Sequence, residues 1–126
     1  MPEPDQLMRA GEEALRSAKV LCDHGLWADA ISRAYYAMIY TARALLASKG
    51  LSPKTHRGAV QLLGREFVGA GNFPPELVKS LSAVMAFRDR ADYGAREDLT
   101  EGDARRTLDA AGAFIDAADE ILHGGQ

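Results

Sequence analysis

Apolar residues in this chain recur at intervals of three and four, the period of one helix face, and nowhere alternate long enough to suggest a strand. A first helix is predicted from the Pro4-Asp5 pair to about His24, on the stripe Leu7, Gly11, Ala14, Ala18 and Leu21, with Gly25 placed for a left-handed cap. A second runs from about Trp27 to Lys49 and ends at Gly50; its stripe is Ile31, Ala34, Tyr35, Met38, Ala42 and Leu45. Leu51-Ser52-Pro53-Lys54-Thr55 reads as a turn with a capping residue. A shorter helix follows, with Val60, Leu63 and Phe67 inward, until Gly69 to Asn72 break it. Pro74 and Pro75 suit the first turn of the next helix, where a missing N–H costs little, and that helix carries Leu77, Leu81, Val84 and Met85 to about Tyr93.

Gly94 to Leu99 reads as a polar loop. Thr100 is a suitable N-cap, with Asp103 at the capping-box position three residues on. The last helix uses Ala104, Leu108, Ala111, Ile115, Ala118 and Leu122 and stops at Gly124-Gly125. The connections are short, so neighbouring helices are expected to run antiparallel. The predicted class is all-α, an up-and-down bundle of four to five helices.

Composition narrows this further. At 126 residues, 47% hydrophobic and 26% charged, the chain reads as one globular domain over residues 1–126. A formal net charge of -3 gives no overall attraction for nucleic acid, and leaves room only for a local basic patch. The one cysteine, Cys22, has no partner for an intramolecular disulfide. No apolar run approaches the about 20 residues that span a bilayer, and the N-terminus is acidic where a secretory signal would be basic. These features lead us to expect a soluble, cytoplasmic protein that does not engage membranes.

Candidate chemistry begins with Arg88. The apolar stripe Leu77, Leu81, Val84 steps next onto Arg88 and then onto Asp92. Charges on a core-facing stripe must be paired. Two readings stand: an ion pair that closes the bundle, or a functional arginine oriented by Asp92. The second helix carries another patterned face, Arg33, Tyr36, Tyr40 and Arg43, that a single bundle has no obvious use for. A dimer interface or a ligand would use it, and the tyrosine cluster Tyr35, Tyr36 and Tyr40, with Tyr93, reads as core or dimer interface or as a ligand stack. His56 stands at a helix start beside Lys54, Thr55 and Arg57, a setting that a phosphate or solvent alone could fill. His24 and His123 sit at helix ends. Glu12, Glu13, Glu97, Asp98, Glu101, Asp103, Asp116 and Asp119 read as solvated carboxylates. No zinc spacing, phosphate-binding glycine loop, nucleophile elbow or HExxH is present, so neither metal nor cofactor is expected.

Four stretches, taken in order, resemble a HEPN-domain protein of the small stand-alone prokaryotic branch: Ser32-Arg33-Ala34-Tyr35-Tyr36-Ala37-Met38, Ala42-Arg43-Ala44-Leu45-Leu46, Pro53-Lys54-Thr55-His56 and Arg88-Asp89-Arg90-Ala91-Asp92-Tyr93. The resemblance runs from about Leu7 to Leu122. It implies a helical bundle that pairs as a two-fold homodimer. It further implies the toxin half of a toxin–antitoxin pair, with a minimal nucleotidyltransferase as partner and RNA as target. Active members of the family resemble one another in carrying an arginine followed, four to six residues on, by a histidine, and they cleave RNA without metal. Arg88 matches that arginine, but Tyr93 stands five positions later and no histidine occurs from Asp89 to Leu122. A phenol titrating near ~10 is a poor base at neutral pH. Two functions therefore stay open: an endoribonuclease with a degenerate motif using Arg88, Asp92 and Tyr93, or a non-catalytic dimer that binds RNA, nucleotide or a protein partner. Under the first, His56 is the candidate source of the missing imidazole. The resemblance also marks Tyr93 as the tyrosine that a partner transferase would modify with AMP.

Overall fold

The computed structural model describes residues 2–94 and 98–124; the loop position Glu97 and the terminal Gly125 lie outside them. Among the described residues the chain forms five α-helices and no strand: α1 Pro4–Asp23, α2 Trp27–Ala47, α3 His56–Leu63, α4 Pro75–Tyr93 and α5 Glu101–His123. The all-α bundle read from the sequence is the observed architecture. Helix ends match their expected signals. Gly25 and Gly50 adopt φ of 77° and 73°, the left-handed region glycine enters without penalty. Thr100 and Asp103 close the capping box: Thr100 Oγ1 accepts from Asp103 N at 3.1 Å, and Asp103 Oδ2 accepts from Thr100 N at 3.0 Å. The bond from Thr100 N foremost, with help from the Thr100 hydroxyl and the Arg106 guanidinium, holds the Asp103 carboxyl below its usual value. The third helix does not end cleanly. It continues as one π-helical turn over Gly64–Val68, which brings Phe67 into line under the buried Ala59 and Leu63.

α2 is the axis of the bundle. Thirteen of its 21 residues are buried, Ile31, Ala34, Tyr35, Met38, Ala42 and Leu45 among them, while only Leu81, Val84 and Ala91 are buried on the 19-residue α4. Small residues explain how α1 seats so closely on α2. A Cβ added at Gly11 would stand 2.7 Å from Thr41 Oγ1 and 3.0 Å from the Ala37 carbonyl oxygen. The inward face of α1 is centred on Met8, Gly11, Ala14, Ala18 and Cys22, with Leu7 and Leu21 at its half-buried margins. Two aromatics outside the sequence stripes complete the core: Phe73, after the glycine break, meets Phe114 of α5 edge to face at 5.1 Å. Leu99 is buried too, in a stretch read as polar. No helix among the described residues is long and apolar enough to cross a membrane.

Candidate functional site

Arg88 reaches from the least buried helix onto the most buried one. Its Cζ lies 5.4 Å from the ring centroids of both Tyr35 and Tyr36, and Nη2 donates to the Tyr36 hydroxyl at 3.0 Å. Asp92, four residues on and only about 40° round the helix, brings Oδ2 to 2.8 Å from Nε. The Nε–H points off that line, and Nε is buried without a hydrogen bond, so the pair is a charge contact rather than a directed bond. Asp89 lies farther off, 3.5 Å from Nη1. The arginine and Asp92 side chains are 20% and 21% exposed, so the pair is mostly but not wholly withdrawn from water. The guanidinium is thus gripped within one bundle, as a bundle-closing ion pair requires.

What a simple closing pair does not need is the histidine on the same two rings. Thr55 caps α3, its Oγ1 accepting from Gly58 N at 2.9 Å, and this fixes His56 as the first helical residue. Arg43 of α2 holds the turn before it by donating from Nη1 to the Pro53 carbonyl at 3.0 Å. His56 Nδ1 then lies 2.7 Å from Tyr35 Oη, and the imidazole packs on Tyr35 and Tyr36 with centroids 5.6 Å and 5.9 Å away. Burial, then the positive charges of Arg43 and Arg88, push the His56 pKa below its usual value. Burial pushes the Tyr35 phenol up to about 12 against the opposing pull of Arg88, with smaller contributions from Tyr36, Asp89 and Arg43.

Of the other residues singled out in the sequence, Arg33 stacks over the Tyr36 ring at 5.7 Å and Tyr40 lies 6.1 Å from it. The face they form was read as having no use within one bundle, and that premise needs correction. Tyr36 receives Arg88, and Arg43 ties down the α3 turn. Lys54 is exposed beside the cluster. Tyr93 is not part of it: five residues turn an α-helix about 140° past Arg88, and the ring is 82% exposed. The sequence placed Tyr35 both in the core stripe and in the tyrosine cluster, and its ring does sit in the core, 1% exposed. Its ring lies against Arg88 and His56, and its hydroxyl meets His56. A polar atom at the end of a core aromatic must find a partner, and that was the available signal.

The result is a part-exposed patch with an aromatic floor, two guanidinium groups and an imidazole, rimmed on one side by Asp89 and Asp92. Such a patch can accept an anion or stack a flat group. Among the described residues no group of three or more His, Cys, Asp or Glu is placed to hold a metal ion.

A helical bundle with this arginine at the end of α4 defines a class, and the chain belongs to it: residues 5–121 match the HEPN domain. A UPF0332 protein of Gloeobacter violaceus is 36% identical over 96% of this chain and 97% of its own. A Methanocaldococcus jannaschii protein named "Putative toxin MJ0605" is 34% identical over 95% of this chain and 89% of its own. A second protein of that organism, "Putative toxin MJ0142", is 28% identical over 95% of this chain and 82% of its own.

Proposed function

We propose that this chain is the toxin component of a toxin–antitoxin pair, that its partner is a minimal nucleotidyltransferase, and that it engages RNA through the Arg88 patch as a homodimer. The names carried by the two Methanocaldococcus relatives support the toxin reading. RNA and the transferase are what the family resemblance implies. One observation in this molecule carries the site: Arg88 and His56, 32 positions apart, share the Tyr35–Tyr36 floor. A fixed cation and a polar imidazole beside aromatic rings suit a phosphodiester and its bases. Arg33, Tyr36, Tyr40 and Lys54 extend the same surface for binding, and Asp92 orients the arginine.

The test is cleavage of labelled RNA by the purified protein without added metal, with Arg88→Ala alongside. Cleavage by the wild type alone supports a ribonuclease. No cleavage by either protein, where a known ribonuclease works, leaves the second reading: a HEPN dimer that binds RNA, nucleotide or a protein partner without cutting. The placement of Tyr93 favours that reading, since the residue at the motif's second position turns away from Arg88 on α4. The paired system has its own checks. Light scattering showing a monomer at micromolar concentration would remove the dimer. Unchanged intact mass after incubation with ATP and a cognate nucleotidyltransferase would remove Tyr93 as an acceptor of AMP.

A further inference from the structure

The Tyr35–His56 contact has a direction, and the direction decides what His56 can do. Tyr35 is 1% exposed, and its only hydrogen-bond partner among the described residues is His56 Nδ1 at 2.7 Å. The phenol keeps its proton over the whole physiological range, because burial raises its pKa to about 12. That O–H must donate somewhere or stand unsatisfied in the core. Arg43 and Arg88, the charged neighbours from α2 and α4, have donors only and cannot receive it. Asp89 is close enough for its charge to be felt but forms no bond with Tyr35. The acceptor is therefore the Nδ1 lone pair.

We infer that Tyr35 is a positioning residue that locks His56 in the tautomer with its proton on Nε2, so that His56 presents a neutral N–H donor, not a base, beside Arg88. Nε2 has no partner among the described residues and is not among the buried unpartnered atoms, so it opens to solvent. Burial of the ring, and then the positive charges of Arg43 and Arg88, discourage a second proton. The free edge of His56 is a fixed, uncharged donor at neutral pH, and its complement is an oxygen acceptor such as a phosphate ester oxygen or a base carbonyl. This use of the donor rests on the RNA reading above; the tautomer does not.

The test is ring-nitrogen NMR on 15N-labelled full-length protein at pH 8, with His56 assigned by His56→Ala. The expected result is an unprotonated Nδ1 and a protonated Nε2, a signature that collapses towards a mixed population in Tyr35→Phe. A protonated Nδ1 in the wild type overturns the inference, and a signature unchanged in Tyr35→Phe removes Tyr35 as its cause. If Tyr35→Phe fails to fold, the wild-type spectrum alone still decides the tautomer, and a direct coupling between the Tyr35 hydroxyl proton and His56 Nδ1 in that spectrum decides its cause. Binding of labelled single-stranded RNA then separates donor from base. In His56→Gln an amide N–H reaches the place of Nε2, and affinity stays within about threefold; in His56→Asn the shorter amide reaches only Nδ1, and roughly tenfold is lost. Equal loss in both overturns the donor role. A wild type with the expected NMR signature and no affinity for RNA sinks the RNA reading and leaves the tautomer standing.

Discussion

Nη2 of Arg88 donates to the Tyr36 hydroxyl at 3.0 Å across 52 positions of sequence, and it does so where α4 has few buried side chains of its own to hold it. The ion pair with Asp92 adds to that hold. Pairs fully in water contribute about 0–1 kcal/mol, and breaking fully buried ones costs about 3–5 kcal/mol. With both side chains about four-fifths covered, Asp92→Asn is expected to cost roughly 1–2 kcal/mol. Arg88→Lys keeps the charge but loses the planar fork that meets Tyr36 and the rings together, and should cost at least as much. Urea unfolding reads both. An unchanged midpoint for Asp92→Asn would mean that the pair does not close the bundle.

Helical periodicity made most of this fold legible. The α2 stripe is buried residue for residue, and the Thr100 cap stands where its spacing put it. Phe73 and Phe114 escaped because they lie off the stripes, one in a connection and one beside Ile115, and their burial depends on helices meeting across the bundle. Within the site, Arg88 and Asp92 were legible because an i,i+4 pair needs only one helix. His56 meeting Tyr35 was not, since nothing local encodes how a 21-residue separation folds back. Tyr93 shows the converse case. It follows the spacing of a sequence motif, but helix geometry turns it away from Arg88.

Two histidines give opposite pH dependences. His123 bridges Asp119 at 2.9 Å and Asp5 at 3.3 Å, joining the end of α5 to the start of α1, and the bond it donates to Asp119 foremost raises its pKa. Its contribution is fully present below about 6.5 and is lost as pH rises through the raised folded value. His56 has its folded pKa lowered, so the unfolded chain binds the extra proton first. Its contribution is present above about 6.5 and is lost as pH falls towards the lowered folded value. Arg43, Arg88, Tyr35 and Tyr36 face that ring and none is a carboxylate. Melting temperatures between about pH 5 and 8 should therefore rise more steeply with pH in His123→Gln than in wild type. A parallel pair of curves would mean that the His123 bridge does not form.

Gly11 is required by proximity and not by φ. Its missing Cβ leaves room for Thr41 Oγ1, which itself donates to the Ala37 carbonyl at 2.7 Å. Gly11→Ala should cost about 1–3 kcal/mol as α1 is pushed off α2. Thr41→Ala in the same chain should return part of that loss, because the nearest obstruction is then gone while the Ala37 oxygen at 3.0 Å remains. Additive costs in thermal unfolding would show that the two residues do not meet.

Tyr93 separates motif from geometry. A ring 82% exposed at the last position of α4 buries almost nothing, so Tyr93→Ala should change stability by no more than about 0.5 kcal/mol. If the Arg88 patch is where RNA binds, the same variant should bind labelled RNA as the wild type does, while Arg88→Ala loses roughly tenfold or more, the loss of one charge-assisted anchor. Arg88 and Tyr93 lie within one helix turn and a half, so a ligand wide enough to cover both faces of α4 would make the two variants fail together. That outcome would place Tyr93 in the site after all, reached by the ligand or by a second copy of the chain rather than by Arg88. Intact binding in Tyr93→Ala, beside loss in Arg88→Ala, would confine the site to the tyrosine floor of α2 and make the exposed phenol free for other use.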